Sequence, residues 1–439
     1  MKKLIVHPSP ILQGEITVPG DKSISHRAVM LSALAKGKSI LRGMLLGEDV
    51  LSTIGCFRQM GVPINILEDR VEVQGVGLLG LKAPQAVLDC GNSGTTLRLM
   101  MGLLSGQHFV SRLTGDASLN RRPVERVAKP LRMMGAEIEE LRASDTERVV
   151  KITGRPLRGI RYELPVASAQ VKSAILLAGL YAQGETRVIE KIPSRNHSEI
   201  MLAYQKAPLS QQGLEISISS PKQLQALDLK IPGDISSAAF FLVAGLIGQS
   251  SKIRLNNVGV NPTRTGILEV LQNMGAKIQI LSKEQAGGEE VATLEVQSSS
   301  LQGTSIAGNI IPRLIDEIPI LSVAAATAEG VTEISDASEL RVKESDRIEA
   351  ICRELSKAKI KVKSKEDGLT IEGRNDFNSG IFQSGSDHRI AMSMAIWATQ
   401  ASKSSTIEDV GCIDTSYPQF FDHLKKIGVK FEQINDKSP

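Results

Sequence analysis

The feature that most constrains this fold is a helical segment that recurs six times along the chain. Each copy is rich in Ala, Ser, Gly and aliphatic residues on every side, and most copies end at a glycine. The copies cover residues 26–37, 96–106, 171–184, 237–248, 318–330 and 390–402. A helix that is apolar all round is normally buried among other elements, and a terminal glycine suits the positive φ of the residue after a helix. The recurrence therefore predicts a fold assembled from six similar units.

A second, more amphipathic helix follows the first in each unit. Four copies end in related motifs at residues 57–61, 131–135, 271–275 and 424–428, and weaker copies end near Gly213 and Ala358. A short alternating strand follows most of them. One unit is thus predicted to run strand, buried helix, strand, amphipathic helix, strand, strand.

The number of units and the length of the chain predict two globules. A chain of 439 residues is too long for a single hydrophobic core. Three units packed around their buried helices would make a core of ordinary size. We therefore expect an α/β protein of two globular domains, each with three βαβαββ-like repeats in a pseudo-threefold arrangement.

Composition excludes several function classes. Aromatic residues make up only 3% of the chain and the net charge is +4, which argues against a nucleic-acid partner. The longest apolar run, residues 238–248, is about half of what a membrane span requires, so no membrane partner is expected. The four cysteines, Cys56, Cys90, Cys352 and Cys412, have no metal-site or disulfide spacing. We expect a cytoplasmic protein with free thiols and no metal.

Basic residues stand at the starts of the predicted helices, where the helix dipole disfavours positive charge. They are Lys22, Arg27, Arg122, Arg195, Arg347 and Arg389. The Ser, Asp and Asn residues beside them are explained as N-caps, but the basic residues are not. A local rule that is broken repeatedly indicates a functional site. Helix N-termini combined with Arg and Lys would bind phosphate and carboxylate groups.

The segment 343–347 has two interpretations that its residue types support equally. In one, Ser345 is the N-cap of a charged first turn. In the other, Lys343 and Arg347 bind an anion, and Glu344 lies beside them for proton transfer.

Five motifs, in order along the chain, together resemble the 5-enolpyruvylshikimate-3-phosphate synthase family. They lie at residues 20–27, 91–98, 115–123, 341–347 and 386–389, and the resemblance extends from end to end. The spellings Asp-Lys-Ser-Ile-Ser-His and Gly-Asp-Ala-Ser-Leu are similar to the second class of these enzymes.

The resemblance implies a reaction and an architecture. The family transfers the enolpyruvyl group of phosphoenolpyruvate to the 5-hydroxyl of 3-phosphoshikimate and releases phosphate, in the shikimate pathway to chorismate and the aromatic amino acids. It implies an inside-out α/β barrel in each globule, no cofactor and a monomer. Residues 20–233 would form one globule, and residues 1–19 with 234–439 the other, with the active site in the cleft between them.

The resemblance also implies the roles of individual residues. Asp316 would accept the proton of the 5-hydroxyl, and Glu344 and Lys22 are candidates for moving the C3 proton. Binding of 3-phosphoshikimate is implied for Lys22, Ser23, Arg27, Ser168, Gln170, Arg195, Asp316 and Lys343. Binding of phosphoenolpyruvate is implied for Lys22, Asn92, Gly94, Thr95, Arg122, Gln170, Arg347 and Arg389. Both substrates are polyanions, which explains the number of basic residues.

Two positions relate the chain to branches of the family. One branch has a lysine three residues before the late proline, where this chain has Thr415 before Pro418. Some glyphosate-tolerant relatives carry alanine at the position of Gly94, so the glycine predicts inhibition by glyphosate.

Two rival functions remain on the same scaffold. A UDP-N-acetylglucosamine enolpyruvyl transferase would carry a reactive cysteine after its Arg-Pro, and residues 115–129 contain none. A non-catalytic phosphoanion-binding protein would need neither acid nor base, whereas Asp316, Lys22 and Glu344 are all present.

Overall fold

The chain folds into two compact units, seen in a computed structural model that describes residues 2–374 and 376–435. The N-terminal unit contains residues 20–231 and 286–289, and the remaining described residues form the C-terminal unit. Elements are numbered in chain order. The chain begins with β1 (Lys2–Val6) and β2 (Gln13–Thr17), both in the C-terminal unit.

The N-terminal unit contains three buried helices, three amphipathic ones and a short one. These are α1 (Lys22–Leu34), α2 (Glu48–Gln59), α3 (Gly94–Ser105), α4 (Ala117–Arg121), α5 (Glu125–Met133), α6 (Ala169–Gly179) and α7 (His197–Tyr204). Nearly every residue of α1, α3 and α6 is buried. They occupy the core of the unit, as their all-round apolar character predicts.

Three sheets and one short strand pair complete the N-terminal unit. Their strands are β3 (Ala35–Arg42), β4 (Ile64–Ile66), β5 (Arg70–Val76), β6 (Leu88–Asp89), β7 (Val110–Thr114), β8 (Glu137–Arg142), β9 (Arg148–Thr153), β10 (Leu157–Arg158), β11 (Arg161–Glu163), β12 (Ala182–Gln183), β13 (Thr186–Ile189), β14 (Leu209–Gln212), β15 (Glu215–Ile218), β16 (Leu224–Gln225) and β17 (Asp228–Lys230). The sheet orders are β16-β3-β5-β4, with β17 also beside β3, then β6-β7-β9-β8 and β11-β13-β15-β14, while β10 pairs with β12.

The described part of the C-terminal unit contains six α-helices and three sheets. Its helices are α8 (Ile235–Ile247), α9 (Gly266–Asn273), α10 (Ile318–Thr327), α11 (Arg347–Lys357), α12 (His388–Gln400) and α13 (Phe420–Lys426). Its further strands are β18 (Lys252–Gly259), β19 (Lys277–Ala286), β20 (Glu289–Gln297), β21 (Ser305–Ile306), β22 (Val331–Ile334), β23 (Lys361–Lys365), β24 (Gly368–Glu372), β25 (Ile381–Gln383), β26 (Ser405–Glu408) and β27 (Phe431–Asn435). The sheet orders are β19-β20-β18-β2, β21-β22-β24-β23 and β25-β26-β1-β27.

One repeat illustrates the unit from which both halves are built. The chain runs β6, α3, β7, α5, β8, β9, with the short helix α4 inserted between β7 and α5. β6 and β7 are parallel across the buried helix, with Leu88 opposite Leu113. β9 then pairs antiparallel with both β7 and β8. This is the predicted order of strand, buried helix, strand, amphipathic helix, strand, strand.

Two repeats take a strand from a distant part of the chain. The first repeat begins at α1, and its parallel partner for β3 is β17, with Asp228 opposite Ile40. The fourth repeat begins at α8, and its parallel partner for β18 is β2, with Gln13 opposite Lys252. In each unit, the strand that pairs in parallel with the strand after the first buried helix lies close to a point where the chain passes from one unit to the other. These strands are β17 and β2.

The tip of the β19–β20 hairpin, residues 286–289, belongs to the N-terminal unit, although the sequence predicted all of 234–439 in the other globule. His197 Nδ1 lies 2.7 Å from Glu289 Oε1, and both side chains are buried. Gly287 has φ +60°, and a Cβ there would lie 1.7 Å from Leu229 Cδ1, so a larger residue would be strained and would require Leu229 to shift. The N-terminal unit also ends at Ile231 rather than at residue 233.

The glycines after the buried helices do not all have the predicted role. α1 ends at Leu34 and Gly37 lies within β3. Gly106 and Gly248 follow α3 and α8 with φ of −94° and −72°, not in the left-handed region. Helices that end this way close through extended or near-helical residues rather than through a left-handed cap.

The amphipathic helices do end as predicted. Gly61, Gly135, Gly275 and Gly428 have positive φ one residue after the C-caps of α2, α5, α9 and α13. In the two weaker copies the same position is taken by Lys206, with φ 62°, and Lys359, with φ 60°. α7 ends at Tyr204 rather than near Gly213, which lies in the turn between β14 and β15.

Candidate active site

The first turn of α3 collects five of the predicted residues in the N-terminal unit. Arg122 Nη2 donates a hydrogen bond to Asn92 Oδ1 at 2.7 Å. Gln170 Nε2 donates to Thr95 Oγ1 at 3.1 Å, and its Oε1 accepts from Arg98 Nη1 at 2.5 Å. The structure therefore brings Asn92, Thr95, Arg122 and Gln170 together around the fifth, Gly94.

Gly94 lies between two guanidinium groups at the N-terminus of α3. A Cβ at this position would lie 3.0 Å from Arg98 Nη1 and 3.5 Å from Arg122 Nη1. A helix N-terminus flanked by two arginines is suited to a phosphate or carboxylate. Arg98 was not among the predicted site residues, although it closes the motif at 91–98 and could have been found there.

Arg148 on β9 fixes the backbone that carries Arg122. Its side chain is buried, and it donates to the carbonyl oxygens of Arg122 at 2.5 Å and Leu119 at 3.0 Å. Burial lowers the pKa of the Arg148 guanidinium. No carboxylate hydrogen-bonds to it within the described residues. The sequence did not reveal this residue, because an arginine on an alternating strand looks like a solvent-facing side chain.

The start of α1 carries Lys22, Ser23 and Arg27. Lys22 Nζ lies 3.0 Å from Asp49 Oδ2 in the first turn of α2. Arg27 is buried and donates from Nη1 to the Ser23 carbonyl at 2.9 Å. Its Nε and Nη2 donate to the hydroxyls of Ser198 and Ser173 at 2.7 and 2.8 Å. Asp49, which no sequence motif indicated, sets the position of the Lys22 ammonium.

The remaining two predicted residues of this unit have local roles. Ser168 is the N-cap of α6, accepting from the Val171 N–H at 3.4 Å. Arg195 lies in the loop between β13 and α7, next to Ser194. The Ser194 N–H donates to the buried Glu190 at 3.1 Å, and this bond anchors the loop.

In the C-terminal unit, Arg347 is the centre of a cluster of carboxylates. It is the first residue of α11 and is buried. Its Nε donates to Asp387 at 2.8 Å, Nη2 donates to Glu344 at 2.6 Å, and Nη1 donates to Asp316 at 3.4 Å. The three acids differ in exposure, with side chains 0% exposed at Asp387, 15% at Asp316 and 20% at Glu344.

The ionisation states of Arg347 and Asp387 follow from their surroundings. Burial alone would lower the pKa of Arg347, but the carboxylates of Asp387, Glu344 and Asp316 raise it above the ordinary value. Burial alone would raise the pKa of Asp387, but Arg347 holds it below its usual range. Both groups are therefore charged at neutral pH, as an opposed buried pair must be.

Asp316 connects Arg347 to the other predicted residues of the unit. It lies in a short 3-10 turn, Ile315–Glu317, directly before α10. Its Oδ1 accepts from Lys343 Nζ at 3.2 Å, and its carbonyl oxygen accepts from Arg389 Nη1 at 2.6 Å. The structure thus brings together all five predicted residues of this half, Asp316, Lys343, Glu344, Arg347 and Arg389.

The capping interpretation of residues 343–347 needs a correction. The N-cap of α11 is Asp346, which accepts from the Glu349 N–H at 3.2 Å. Ser345 instead donates to Asp387 at 3.0 Å. Asp346 outcompetes Ser345 as the cap because the helix starts one residue later, at Arg347.

Among the described residues, no group of three or more His, Cys, Asp or Glu side chains could hold a metal ion. No helix in 2–374 or 376–435 is long and apolar enough to span a membrane. Thr415, where one branch of the family has lysine, donates its hydroxyl to the Cys412 carbonyl at 2.7 Å.

Comparisons with known proteins agree on one family. The family model described as EPSP synthase (3-phosphoshikimate 1-carboxyvinyltransferase) matches residues 6–424. A 3-phosphoshikimate 1-carboxyvinyltransferase of Geobacter metallireducens is 48% identical over 430 residues, covering 98% of this chain and all of the relative. One from Bacillus thuringiensis is 49% identical over 428 residues, covering 97% of this chain and all of the relative. The solved EPSP synthase of Acinetobacter baumannii superposes with a TM-score of 0.88 at 43% identity, covering 99% of this chain and all of that one.

Proposed function

The chain belongs to the EPSP synthase family, and we propose how its residues divide the work of a 3-phosphoshikimate 1-carboxyvinyltransferase. The enzyme transfers the enolpyruvyl group of phosphoenolpyruvate to the 5-hydroxyl of 3-phosphoshikimate in the shikimate pathway. The observation that carries the assignment of roles is the cluster around Asp316, whose carboxylate meets Lys343 and Arg347 while its carbonyl holds Arg389.

Phosphoenolpyruvate is the proposed ligand of the arginines. Arg122 beside the N-terminus of α3, together with Arg347 and Arg389, supplies the positive charge, and Asn92, Gly94, Thr95 and Gln170 frame the anion. Several guanidinium groups are needed because the two substrates repel each other as polyanions.

The shikimate phosphate is the proposed ligand of the α1 region. Lys22, Ser23 and Arg27 lie at the start of that helix, and Ser168, Gln170 and Arg195 come from α6 and the loop after β13. Lys343 would contact the shikimate ring beside the base. These roles rest on the family resemblance and on the concentration of donors near helix starts.

Asp316 is the proposed base for the 5-hydroxyl. Its carboxylate is 15% exposed, and it is held by two cations on one side. The cations fix the orientation of the carboxylate, so that an approaching hydroxyl meets a positioned acceptor.

Glu344 is the proposed acid for C3, and its ion pair explains how it obtains a proton. Glu344 is the most exposed of the three acids on Arg347. A carboxylate or phosphate of phosphoenolpyruvate would replace it on Nη2 more easily than it would replace the buried Asp387. Once released from Arg347, Glu344 loses the charge that favours its ionised form. Lys22 is the alternative donor.

The finer expectations stay proposals that rest on the family resemblance. We propose a monomeric, cytoplasmic enzyme that works without a cofactor. Inhibition by glyphosate stays a prediction, for which the space at Gly94 beside Arg98 and Arg122 is the support.

Substitution of the proposed base tests this account. Asp316→Asn keeps the shape of the side chain but cannot accept the proton, so phosphate release with both substrates should fall about 10²- to 10⁴-fold. Asp414→Asn is the matched control, because Asp414 pairs with Lys2 on the surface. It should turn over like the unmodified enzyme. Unchanged turnover in Asp316→Asn would refute the role of this carboxylate.

A further inference from the structure

A buried polar network in the C-terminal unit connects Arg389 with the first turn of α8. Arg389 Nη1 lies 3.6 Å from Glu317 Oε1. The same oxygen accepts a hydrogen bond from Ser236 Oγ. Arg264 Nη2 donates to Ser236 Oγ at 2.7 Å and to Asp234 Oδ1 at 3.1 Å. Asp234 is the N-cap of α8 and lies three residues after the chain leaves the N-terminal unit.

Glu317 and its neighbour Asp316 lie in the same turn, but their side chains differ in exposure. The Asp316 carboxylate is partly exposed and meets Lys343 and Arg347. The Glu317 side chain is 0% exposed, so it cannot touch a substrate. Any effect of Glu317 on the reaction must therefore pass through another residue.

The charge on Glu317 is not explained by the needs of the fold. A buried carboxylate is unfavourable unless cations and hydrogen bonds compensate it. Glu317 Oε2 has no hydrogen-bond partner within the described residues. The cation nearest to it there is Arg389, and Arg264 is reached through Ser236. The pair of Glu317 and Arg389 is therefore expected to contribute little to stability. Its expected role is to hold a functional guanidinium in place.

One edge of the Arg389 guanidinium is held by contacts within the protein, and the other edge can donate hydrogen bonds to a substrate. Nη1 donates to the Asp316 carbonyl at 2.6 Å and faces Glu317. Within the described residues, neither Nε nor Nη2 of Arg389 has a hydrogen-bond partner. Those two donors form the edge of an arginine that binds a carboxylate or phosphate in a bidentate manner.

We propose that Glu317 is a positioning residue for Arg389 and thereby for phosphoenolpyruvate. Its charge, together with the Asp316 carbonyl, holds Nη1 so that the Nε–Nη2 edge faces the substrate anion. Ser236 and Arg264 hold Glu317 in turn. The inference rests on the proposed function, since it assigns phosphoenolpyruvate to Arg389.

Steady-state kinetics of Glu317→Gln with each substrate varied in turn tests the inference. The amide keeps the shape and the acceptor for Ser236 but removes the charge. The KM for phosphoenolpyruvate should rise roughly tenfold, the effect of one lost positioned contact to a charged group. The KM for 3-phosphoshikimate should stay within about twofold, because the network contacts only the backbone carbonyl of Asp316 and not its carboxylate.

Two further variants connect the effect to Arg389. In the double variant Glu317→Gln with Arg389→Lys, the KM for phosphoenolpyruvate should be no higher than in Arg389→Lys alone, since residues that act as a unit are not additive. Ser236→Ala leaves every charge in place and loosens Glu317. It should raise the same KM by a smaller factor, and it provides the test if Glu317→Gln does not fold.

The control is Glu333→Gln, which removes a surface carboxylate paired with Lys365 in the same unit. It should match the unmodified enzyme in both KM values. If Glu317→Gln and Ser236→Ala leave the KM for phosphoenolpyruvate unchanged, lower it, or raise both KM values equally, the positioning role is wrong. If the unmodified enzyme and Glu333→Gln release no phosphate with both substrates, the proposed function itself fails.

Discussion

Arg347 is a buried charge that holds together the candidate site residues of the C-terminal unit. Its guanidinium meets three carboxylates, and each belongs to a different segment of the chain. Removing one member of such a buried cluster leaves the others uncompensated, which is far more costly than the net value of the cluster suggests. The same cluster places the proposed base, Asp316, and the proposed acid, Glu344, on one guanidinium.

Arg148 is expected to act through Arg122 in the same indirect way. Arg148→Gln would leave the Arg122 and Leu119 carbonyls without their buried donor, so the turn that carries Arg122 should shift. We expect the free energy of unfolding to fall by about 1–3 kcal/mol. The KM for phosphoenolpyruvate should also rise roughly tenfold.

Urea unfolding and steady-state kinetics check this prediction, with Arg155→Gln as the control. Arg155 pairs with Glu137 at the surface and should affect neither quantity. A loss of stability in Arg148→Gln with an unchanged KM for phosphoenolpyruvate would mean that Arg148 stabilises the fold but does not position Arg122.

For individual residues, the sequence indicated those that lie in motifs better than the residues that contact them in the folded chain. The proposed roles of Arg347, Arg389 and Asp316 come from their resemblance to family motifs, and the structure places these three residues in contact. Asp49, Arg148 and the role of Asp387 were not indicated by the sequence, because their importance comes from tertiary contacts with motif residues. The capping role went to Asp346 instead of Ser345, since both residue types cap helices and only the backbone decides where the helix begins.

The amphipathic helices share one way of ending, and two of them end with strain. Gly61, Gly135, Gly275 and Gly428 take positive φ where Lys206 and Lys359 do so in the two weaker copies. A side chain in this conformation costs about 1 kcal/mol relative to glycine, partly offset by the greater freedom of glycine in the unfolded chain.

Lys206→Gly and Lys359→Gly should therefore each raise the free energy of unfolding by about 0.5 kcal/mol. Urea denaturation of the single variants measures this. Lys363→Gly is the matched control, because Lys363 lies within β23 and glycine weakens a strand. If all three variants lose stability equally, the left-handed positions carry no strain.

The last helix, α13, contains a histidine that should make stability depend on pH. His423 Nδ1 lies 2.7 Å from the Tyr417 hydroxyl. Burial, and to a smaller degree Lys426, lower the pKa of His423 to about 4, although Asp422 opposes the shift. In the unfolded chain a histidine titrates near pH 6.5. Between these values the unfolded state binds more protons, so the free energy of unfolding falls as the pH falls.

His423→Gln should remove that part of the pH dependence. Between pH 7 and pH 5 the unmodified protein should lose about 1 kcal/mol more stability than the variant, after allowance for partial solvation of the ring. Thermal and urea unfolding at the two pH values provide the comparison. Equal losses in both proteins would contradict the shifted pKa of His423.

For the whole molecule, periodicity predicted the architecture. The all-round apolar segments became the buried helices α1, α3, α6, α8, α10 and α12. Each is a long segment that is apolar on nearly every side, and the existence of long helices is more predictable from sequence than their boundaries are. The inside-out α/β fold of the family agrees with the three sheets that each unit contains.

The resemblance implied that residues 1–19 join the C-terminal globule, but the pairing of strands from distant segments could not be predicted. β17 is three residues long and pairs with β3, and β2 pairs with β18. Short strands carry little pattern of their own, and their partners are chosen by tertiary packing. The position of residues 286–289 in the N-terminal unit depends likewise on Glu289 and His197, which are far apart in the sequence.

Phosphate release from phosphoenolpyruvate shows whether this chain acts as a 3-phosphoshikimate 1-carboxyvinyltransferase. We expect release when 3-phosphoshikimate is present, with an equal amount of enolpyruvyl product. We expect none with phosphoenolpyruvate alone or with UDP-N-acetylglucosamine as the acceptor. Phosphate release that needs UDP-N-acetylglucosamine, or no release with 3-phosphoshikimate, would contradict this activity.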